Sequence, residues 1–139
     1  SINYSPSVEP VFSEVARVLK PGGIYHVSIA NPFALSTDNT WDGNGYPVRD
    51  LYTDGEDIRR FFPAWELEQP DGSVVTVERP HEFRHTLSTV FNVLAKNGFH
   101  FLHLYEWMRT DENPETGSWA HFTQSMPPYL MTFWQLMSR

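Results

Sequence analysis

The apolar residues near the start of the chain follow first the period of a helix and then that of a strand. Over residues 7–20 (SVEPVFSEVARVLK), valine, phenylalanine and leucine recur at intervals of three and four, which predicts a helix with one buried face. Ser7 is placed to cap this helix, Pro10 falls in its first turn, and Pro21 ends it. Residues 24–30 (IYHVSIA) are apolar on both faces, which predicts a strand buried between two layers of helices.

The middle of the chain lacks a regular pattern and then changes to strict alternation. Residues 34–63 are polar and are interrupted by glycine and proline, which predicts a long ordered loop with a short helix over residues 54–62. Residues 64–80 contain two alternating runs on either side of a Pro-Asp-Gly-Ser turn, which predicts a β-hairpin.

The last part of the chain predicts one helix and two strands. Thr86 is a natural N-cap for a helix with one apolar stripe, and Gly98 is its C-terminal stop. The pattern then predicts a strand over residues 99–107, a polar loop over residues 109–120 and a final strand over residues 127–137.

One short string, H-E-x-x-H at residues 81–85, has the form of a zinc-protease signature. That chemistry needs both histidines one turn apart on a helix, with a third ligand from elsewhere. Because Thr86 is expected to cap the helix, His85 precedes the helix and His81 lies at the exit of the hairpin. The sequence therefore predicts no metal site at this string.

Composition excludes several classes of function. The formal net charge is −7, from 10 basic and 17 acidic residues, and no basic run is present, so we expect no nucleic-acid partner. No apolar run approaches the roughly 20 residues that a membrane span needs, so we expect no membrane partner. The lack of an export signal makes the cytoplasm the expected location, and the lack of cysteine excludes disulfides.

Two segments resemble class I S-adenosylmethionine-dependent methyltransferases. In that family a helix ending in RVLKPGG, here residues 17–23, leads into the fifth strand of a Rossmann-like sheet. Residues 85–106 (HTLSTVFNVLAKNGFHFLHLYE) are similar to the family's later helix and sixth strand. Residues 127–137 are similar to its seventh strand, which is inserted antiparallel between the fifth and the sixth.

The resemblance implies an α/β fold that contains only the C-terminal half of the family's domain. The family holds its cofactor with a glycine-rich loop, and no G-x-G-x-G is present in this sequence. Residues 2–6 (INYSP) look like the tail of the family's fourth strand. We therefore expect residues 1–139 to form one partial domain, with strands five, six and seven, their flanking helices, and an inserted lid loop and hairpin over residues 34–80.

The resemblance also implies where the ligands lie, because doubly wound sheets bind ligands beyond the carboxyl ends of their strands. Asn3 and Tyr4 would border S-adenosylmethionine. The residues expected to border the substrate are Asn31, Phe33, Trp41, Tyr46, His81, Arg84 and His85. For the histidines and Arg84 the alternative is packing and hydrogen bonding at the start of a helix. For Trp41 and Tyr46, grouped with Tyr52 and Trp65, the alternatives are a lid over a small molecule and a loop packed on its own aromatics.

The implied function is part of a small-molecule methyltransferase that uses S-adenosylmethionine, inactive as this isolated chain. Methyl transfer needs alignment of the reactants more than any one catalytic group, so the sequence identifies no catalytic residue. The alternative is a non-enzymatic interaction or dimerisation module derived from the same fold. In either case an open edge beside the fifth strand predicts a homodimer, or pairing with the missing N-terminal half.

Overall fold

The computed structural model describes residues 2–58 and 64–137. Its described elements, in chain order, are a short N-terminal 3-10 turn (Ile2–Tyr4), α1 (Glu9–Val18), β1 (Ile24–Ala30), α2 (Pro32–Ser36), β2 (Ala64–Glu68), β3 (Val74–Glu78), α3 (Leu87–Lys96), β4 (Phe99–Trp107), α4 (Trp119–Ser125) and β5 (Tyr129–Leu136). None of the described helices is long and apolar enough to cross a membrane.

The main sheet has three described strands in the order β1-β5-β4. The last strand lies in the middle and runs antiparallel to both neighbours, so β1 and β4 are parallel to each other. This confirms the predicted insertion of the final strand between the two earlier ones. The predicted hairpin is also confirmed, since β2 and β3 pair as a separate antiparallel ribbon.

The core lies on one face of the main sheet, beneath α1 and α3. Phe12 from α1, Leu94 from α3 and Ile29 from β1 are almost completely buried there. Trp134 of β5 lies on the same face of the sheet as the two helices, in the core. Its indole N–H donates to the Thr132 hydroxyl at 2.8 Å. The helical period of the sequence therefore predicted the burial of Phe12 and Leu94 correctly.

The opposite face of the main sheet is exposed in the described chain, which differs from the prediction that β1 is buried on both faces. We call this surface the open face. It consists of twelve residues in four cross-strand rows: Ile24, Gln135 and His100; His26, Phe133 and His103; Ser28, Met131 and Tyr105; and Ala30, Tyr129 and Trp107. None of them is Asp, Glu, Lys or Arg. The face is exposed because both described long helices pack on the other side.

Several predicted boundaries are wrong for local reasons. The first helix begins at Glu9 with Val8 at the N-cap position, and Val18 is 65 % exposed rather than buried. Residues 2–4 form a 3-10 turn instead of the tail of a strand. The short helices α2 and α4 were not predicted, because five and seven residues are too few to show a helical period. Of the short helix predicted over residues 54–62, residues 54–57 are not helical, and residues 59–62 lie outside the described residues.

Candidate functional site

Two joined cavities lie at the carboxyl end of β1. The larger is a groove of about 670 Å³ that runs along the strand edge not paired with β5, beside the N-terminal turn. The smaller is a pocket of about 150 Å³ between α2, α4 and the segment leading to α3. Both are lined by Ala30, Ile58, Glu82 and Tyr129, which therefore mark their junction. This is the end of the sheet at which doubly wound folds bind ligands.

Asn3 holds the wall of the groove together. Its side-chain oxygen accepts from the Ala30 N–H at 3.1 Å, and its amide group donates to the Phe83 carbonyl at 3.3 Å. Its own carbonyl accepts from the Phe83 N–H at 2.6 Å. The residue is 6 % exposed, so these bonds tie the N-terminal turn to the end of β1 and to the segment before α3. Asn3 lines the groove, and most of its polar atoms already bind the protein; its contact with a cofactor remains a prediction.

Asn31 sets the turn from β1 into α2. Its side-chain oxygen accepts from the Phe33 N–H at 3.1 Å as an N-cap, and its amide group donates to the Pro127 carbonyl at 2.7 Å. Phe33 is half exposed and stacks on Tyr52 at 4.6 Å between ring centroids. Neither Asn31 nor Phe33 lines the two cavities, so any substrate contact from them remains a prediction.

Glu82, Arg79 and Tyr4 form a polar group at the junction of the cavities. The Glu82 carboxylate pairs with the Arg79 guanidinium, and both side chains are less than one-fifth exposed. Burial, followed by the charge of Glu82 and a hydrogen bond to it, raises the pKa of Tyr4 above its usual value. The Tyr4 hydroxyl therefore stays protonated and donates a hydrogen bond to the Glu82 carboxylate. Tyr4 was predicted at the site, whereas Glu82 and Arg79 were not.

Arg84 is fully buried and organises the long loop over residues 37–58. Its guanidinium donates to the Ser36 hydroxyl at 2.9 Å and to the Leu51 carbonyl. It also pairs with two carboxylates, those of Asp50 and Glu56. The predicted alternative of packing and hydrogen bonding fits this arrangement, since Arg84 lines neither cavity.

The start of α3 fastens the same loop. The Asp54 carboxylate accepts from the Thr86 N–H at 2.7 Å, from the Thr86 hydroxyl at 2.9 Å and from the Thr89 hydroxyl at 2.8 Å. Partial burial raises the pKa of Asp54, but the hydrogen bonds from Thr86 and Thr89 outweigh it and the pKa is lowered. Thr86 is the N-cap, as predicted from the sequence. The long loop therefore reaches the cavities as an anchored element.

The two histidines of the H-E-x-x-H string point to different surroundings. His81 is exposed and its Nδ1 lies 2.5 Å from an Asp57 oxygen. His85 is 4 % exposed, and its Nε2 donates to the Ser5 carbonyl at 2.9 Å. No cluster of three metal-ligating side chains occurs among residues 2–58 and 64–137. The prediction that His85 precedes the helix, so that the two histidines are not one helical turn apart, is confirmed.

The protonation of His85 should make stability depend on pH. Burial lowers the pKa of His85, and its hydrogen bonds to backbone carbonyls and the charge of Asp54 oppose this only in part. The folded state therefore favours the neutral ring. The contribution of this preference to the free energy of unfolding is complete above the unfolded pKa of about 6.5, and it declines as the pH falls below that value. We expect the thermal midpoint to decrease between about pH 7 and about pH 5.5.

The matched variant for this prediction is His85→Gln, which keeps an N–H donor for Ser5 but does not titrate. Its thermal midpoint should depend less on pH over the same range, while His81→Gln should behave like the wild type. Equal pH profiles for His85→Gln and the wild type would contradict the assignment to His85.

Trp41 and Tyr46 belong to an aromatic cluster on α4. The Tyr46 hydroxyl lies 2.8 Å from His121 Nδ1, and its ring meets Phe122 edge-on at 5.0 Å. Trp41 meets the rings of both Tyr46 and His121 at 5.2 Å. Neither Trp41 nor Tyr46 lines the pocket, although Phe122 beneath them does. The cluster thus forms the outer support of the pocket wall, and its influence on a substrate stays a prediction.

Sequence reasoning missed four residues that line the pocket: Arg79, Glu82, Trp119 and Phe122. In the sequence, Glu82 stands out only as the glutamate of the H-E-x-x-H string, and that string predicts no site once its metal chemistry is excluded. Trp119 and Phe122 lie on α4. The one sequence signal for this helix was Ser118, whose hydroxyl caps it by accepting from the His121 N–H at 3.2 Å.

Comparison with solved structures finds the same fold in proteins described as S-adenosylmethionine-dependent methyltransferases. One from Mesorhizobium loti matches with a TM-score of 0.60 and 19 % identity, over 97 % of this chain and 57 % of its own. One from Listeria monocytogenes matches with a TM-score of 0.58 and 17 % identity, over 99 % of this chain and 58 % of its own. One from Clostridium acetobutylicum matches with a TM-score of 0.57 and 15 % identity, over 99 % of this chain and 55 % of its own.

The chain therefore spans a little over half the length of the solved structures it matches. No protein-family model matches the sequence, and no curated protein is significantly similar to it. At these identities the likeness shows the fold. The resemblance to the class I methyltransferase fold is confirmed, as is the α/β fold class of a partial Rossmann-like domain.

Proposed function

We propose that this chain forms part of a methyltransferase that transfers a methyl group from S-adenosylmethionine to a small molecule. The observation that carries the proposal is the pair of joined cavities at the carboxyl end of β1, in a fold shared with S-adenosylmethionine-dependent methyltransferases. A groove beside the strand suits an extended nucleoside, and the smaller pocket beyond it suits a methyl acceptor.

The residues of this chain fit one wall of a cofactor site. Asn3 and Tyr4 line the groove at the end where its junction with the pocket lies. The sequence holds no G-x-G-x-G, and Glu82 is the one acidic residue of the described chain that lines the groove. The cofactor, when bound, supplies an activated methyl group. The rest of its site belongs to chain beyond this wall.

The contribution of the described residues is alignment and exclusion of water. The hydrogen bonds of Asn3 fix the groove wall to the strand end, and the buried ion pairs of Arg84 fix the long loop beside the pocket. Holding two reactants in line removes a large entropic part of the barrier, and a closed pocket keeps water from the activated methyl group.

Calorimetric titration with S-adenosylhomocysteine tests the proposal. The protein as it is naturally encoded should bind this product analogue, and a polypeptide of residues 1–139 alone should bind it far more weakly, since it offers one wall. Absence of binding to the naturally encoded protein would reject the cofactor. Equally tight binding by both would show that the described groove suffices.

A second candidate function, an interaction or dimerisation module, is favoured by the open face. Twelve neighbouring residues without a formal charge are unusual for a surface that faces only water, and large apolar patches mark contact sites. The edge of β1 beside them pairs with no other described strand. We infer a two-fold homodimer in which the β1 side lies at or near the contact. A cytoplasmic location is a further part of this proposal.

Phe133→Lys should abolish such a dimer. Phe133 lies at the centre of the open face, stacked on His26 at 4.4 Å between ring centroids, and a lysine there places a charge inside the contact. Light scattering across a concentration series should show a dimer for the wild type and a monomer for the variant. Glu66→Lys on the separate hairpin is the control and should remain a dimer. A wild type that is monomeric at every concentration would refute the dimer.

A further inference from the structure

We propose that Glu82 binds the methyl acceptor and takes its proton, and that the acceptor is an uncharged molecule about the size of one ring that carries an O–H or N–H group. This rests on the proposed function and adds to it a substrate class and a residue that contacts the substrate. Three observations carry it: the position of Glu82, the size and walls of the pocket, and the charge of its partners.

Glu82 is the one carboxylate, among residues 2–58 and 64–137, that lines either cavity, and it lines both. Its backbone carbonyl accepts from the Ile58 N–H at 2.8 Å, which holds the residue at the junction independently of its side chain. A group at this junction lies between a methyl donor in the groove and an acceptor in the pocket. It is therefore in place to hold the proton of the attacking atom.

The pocket is small and mainly apolar. Its volume is about 150 Å³, and Leu35, Trp119 and Phe122 form its apolar walls. An apolar protein cavity of about 150 Å³ is large enough for a benzene molecule. One planar ring therefore fills the pocket. Glu82 lines the same pocket, where it can accept a hydrogen bond from a polar substituent of the ring.

The charge at the pocket selects a neutral acceptor. Arg79 lines the same pocket and its guanidinium pairs with the Glu82 carboxylate, so the pair has no net charge. Arg79 also lies over the ring of Trp65, with 5.4 Å between its guanidinium carbon and the ring centroid. A charged acceptor would have to compete with this existing ion pair, since an ammonium would need Glu82 and a carboxylate would need Arg79. A neutral O–H or N–H instead donates a charge-assisted hydrogen bond to the carboxylate.

The chemical step balances with these groups. The lone pair of the acceptor oxygen or nitrogen attacks the methyl carbon of the sulfonium donor and forms the new C–O or C–N bond. The C–S bond breaks, and its electron pair stays on sulfur, which becomes a neutral thioether. The proton lost by the acceptor passes to the Glu82 carboxylate and from there to water. Tyr4, which donates a hydrogen bond to Glu82, is a positioning residue in this step.

Four probes of one size test the pocket in the naturally encoded protein: phenol, anisole, benzylamine and benzoate. Ligand-observed NMR titrations should show that phenol binds about tenfold more tightly than anisole, because only phenol donates a hydrogen bond to a charged group. Benzylammonium and benzoate should both bind more weakly than phenol. Failure of all four to bind at millimolar concentration, or equal binding of phenol and anisole, would overturn the proposal.

Glu82→Gln assigns the effect to the residue. The preference for phenol over anisole should shrink to about twofold or less, since a neutral amide accepts a weaker hydrogen bond. Glu66→Gln removes the same charge from the hairpin and should keep the wild-type preference. An unchanged preference in Glu82→Gln would overturn the assignment, and thermal melting of Glu82→Gln and Glu82→Asp shows that both variants are folded.

Binding of S-adenosylhomocysteine separates this proposal from the proposed function. If the analogue binds and phenol is not preferred, the methyltransferase proposal stands and the acceptor class is wrong. If phenol is preferred and the analogue does not bind, the pocket exists without the cofactor and the proposed function is wrong. For a transfer assay, Glu82→Gln should lower kcat, because the amide cannot take the proton of the acceptor.

Discussion

Replacing Arg84 by methionine should lower the free energy of unfolding by about 3 to 5 kcal/mol, which is the usual cost of breaking a buried ion pair. Arg84 has no exposed side-chain surface, and its guanidinium pairs with Asp50 and Glu56 while donating to two further oxygens. Methionine fits the space but removes the guanidinium that pairs with Asp50 and Glu56. Urea unfolding followed by tryptophan fluorescence measures the change.

Two further variants separate charge from geometry in this prediction. Arg84→Lys keeps the charge but has no planar fork to serve several acceptors at once, so its loss should be intermediate. Arg17→Met removes an exposed pair with Glu14, and its effect should stay within about 0.5 kcal/mol. A loss for Arg84→Met no larger than that for Arg17→Met would show that the long loop does not depend on the buried pair.

Trp134→Ala should cost about 3 to 5 kcal/mol, as large-to-small changes in a packed core do. Trp134 is 2 % exposed and meets the rings of Phe91 and Phe101 edge-on at 4.9 Å and 5.1 Å. Its indole N–H also donates to the hydroxyl of Thr132, which is completely buried. The alanine variant therefore leaves both a cavity and a buried hydroxyl without its donor. Differential scanning calorimetry measures the loss.

The neighbouring residue on the same strand is the control for Trp134. Phe133 points to the open face, so Phe133→Ala should cost about 1 kcal/mol or less in the monomer, because it is already partly in contact with water. Similar losses for the two variants would mean that the open face is as well packed as the core, which would favour a tightly associated dimer.

The elements that sequence alone predicted are those with a strong local period. In α1 and α3 the apolar residues repeat at the helical interval, β1, β4 and β5 are runs rich in apolar residues, and Thr86 and Gly98 mark the ends of α3. Gly98 has φ of +85°, a conformation that glycine adopts at little cost, so its role as a stop was readable from identity alone. The resemblance then supplied the order of the strands.

The candidate site was only partly predictable, and the segment from Arg79 to His85 shows why. Four side chains within it have four surroundings: Glu82 faces the cavities, Arg84 the long loop, His81 the solvent and His85 the buried Ser5 carbonyl. This segment is neither helix nor strand, so no period indicates where a side chain points. Every residue type in it suited several roles equally well.

The sequence by itself determined the positions of the longer helices and of the strands, where α3 begins and ends, and that the H-E-x-x-H string is not helical. Those properties depend on neighbours within a few residues. Only the tertiary structure decided that Glu82 reaches both cavities and that Arg84 is buried among carboxylates, because backbone bonds between distant segments set the direction of both side chains. The Phe83 N–H binds the Asn3 carbonyl on one side, and the Arg84 N–H binds the Glu56 carbonyl on the other. The bonded residues are 80 and 28 positions apart in the chain. Contacts over such separations leave no periodic pattern in the sequence.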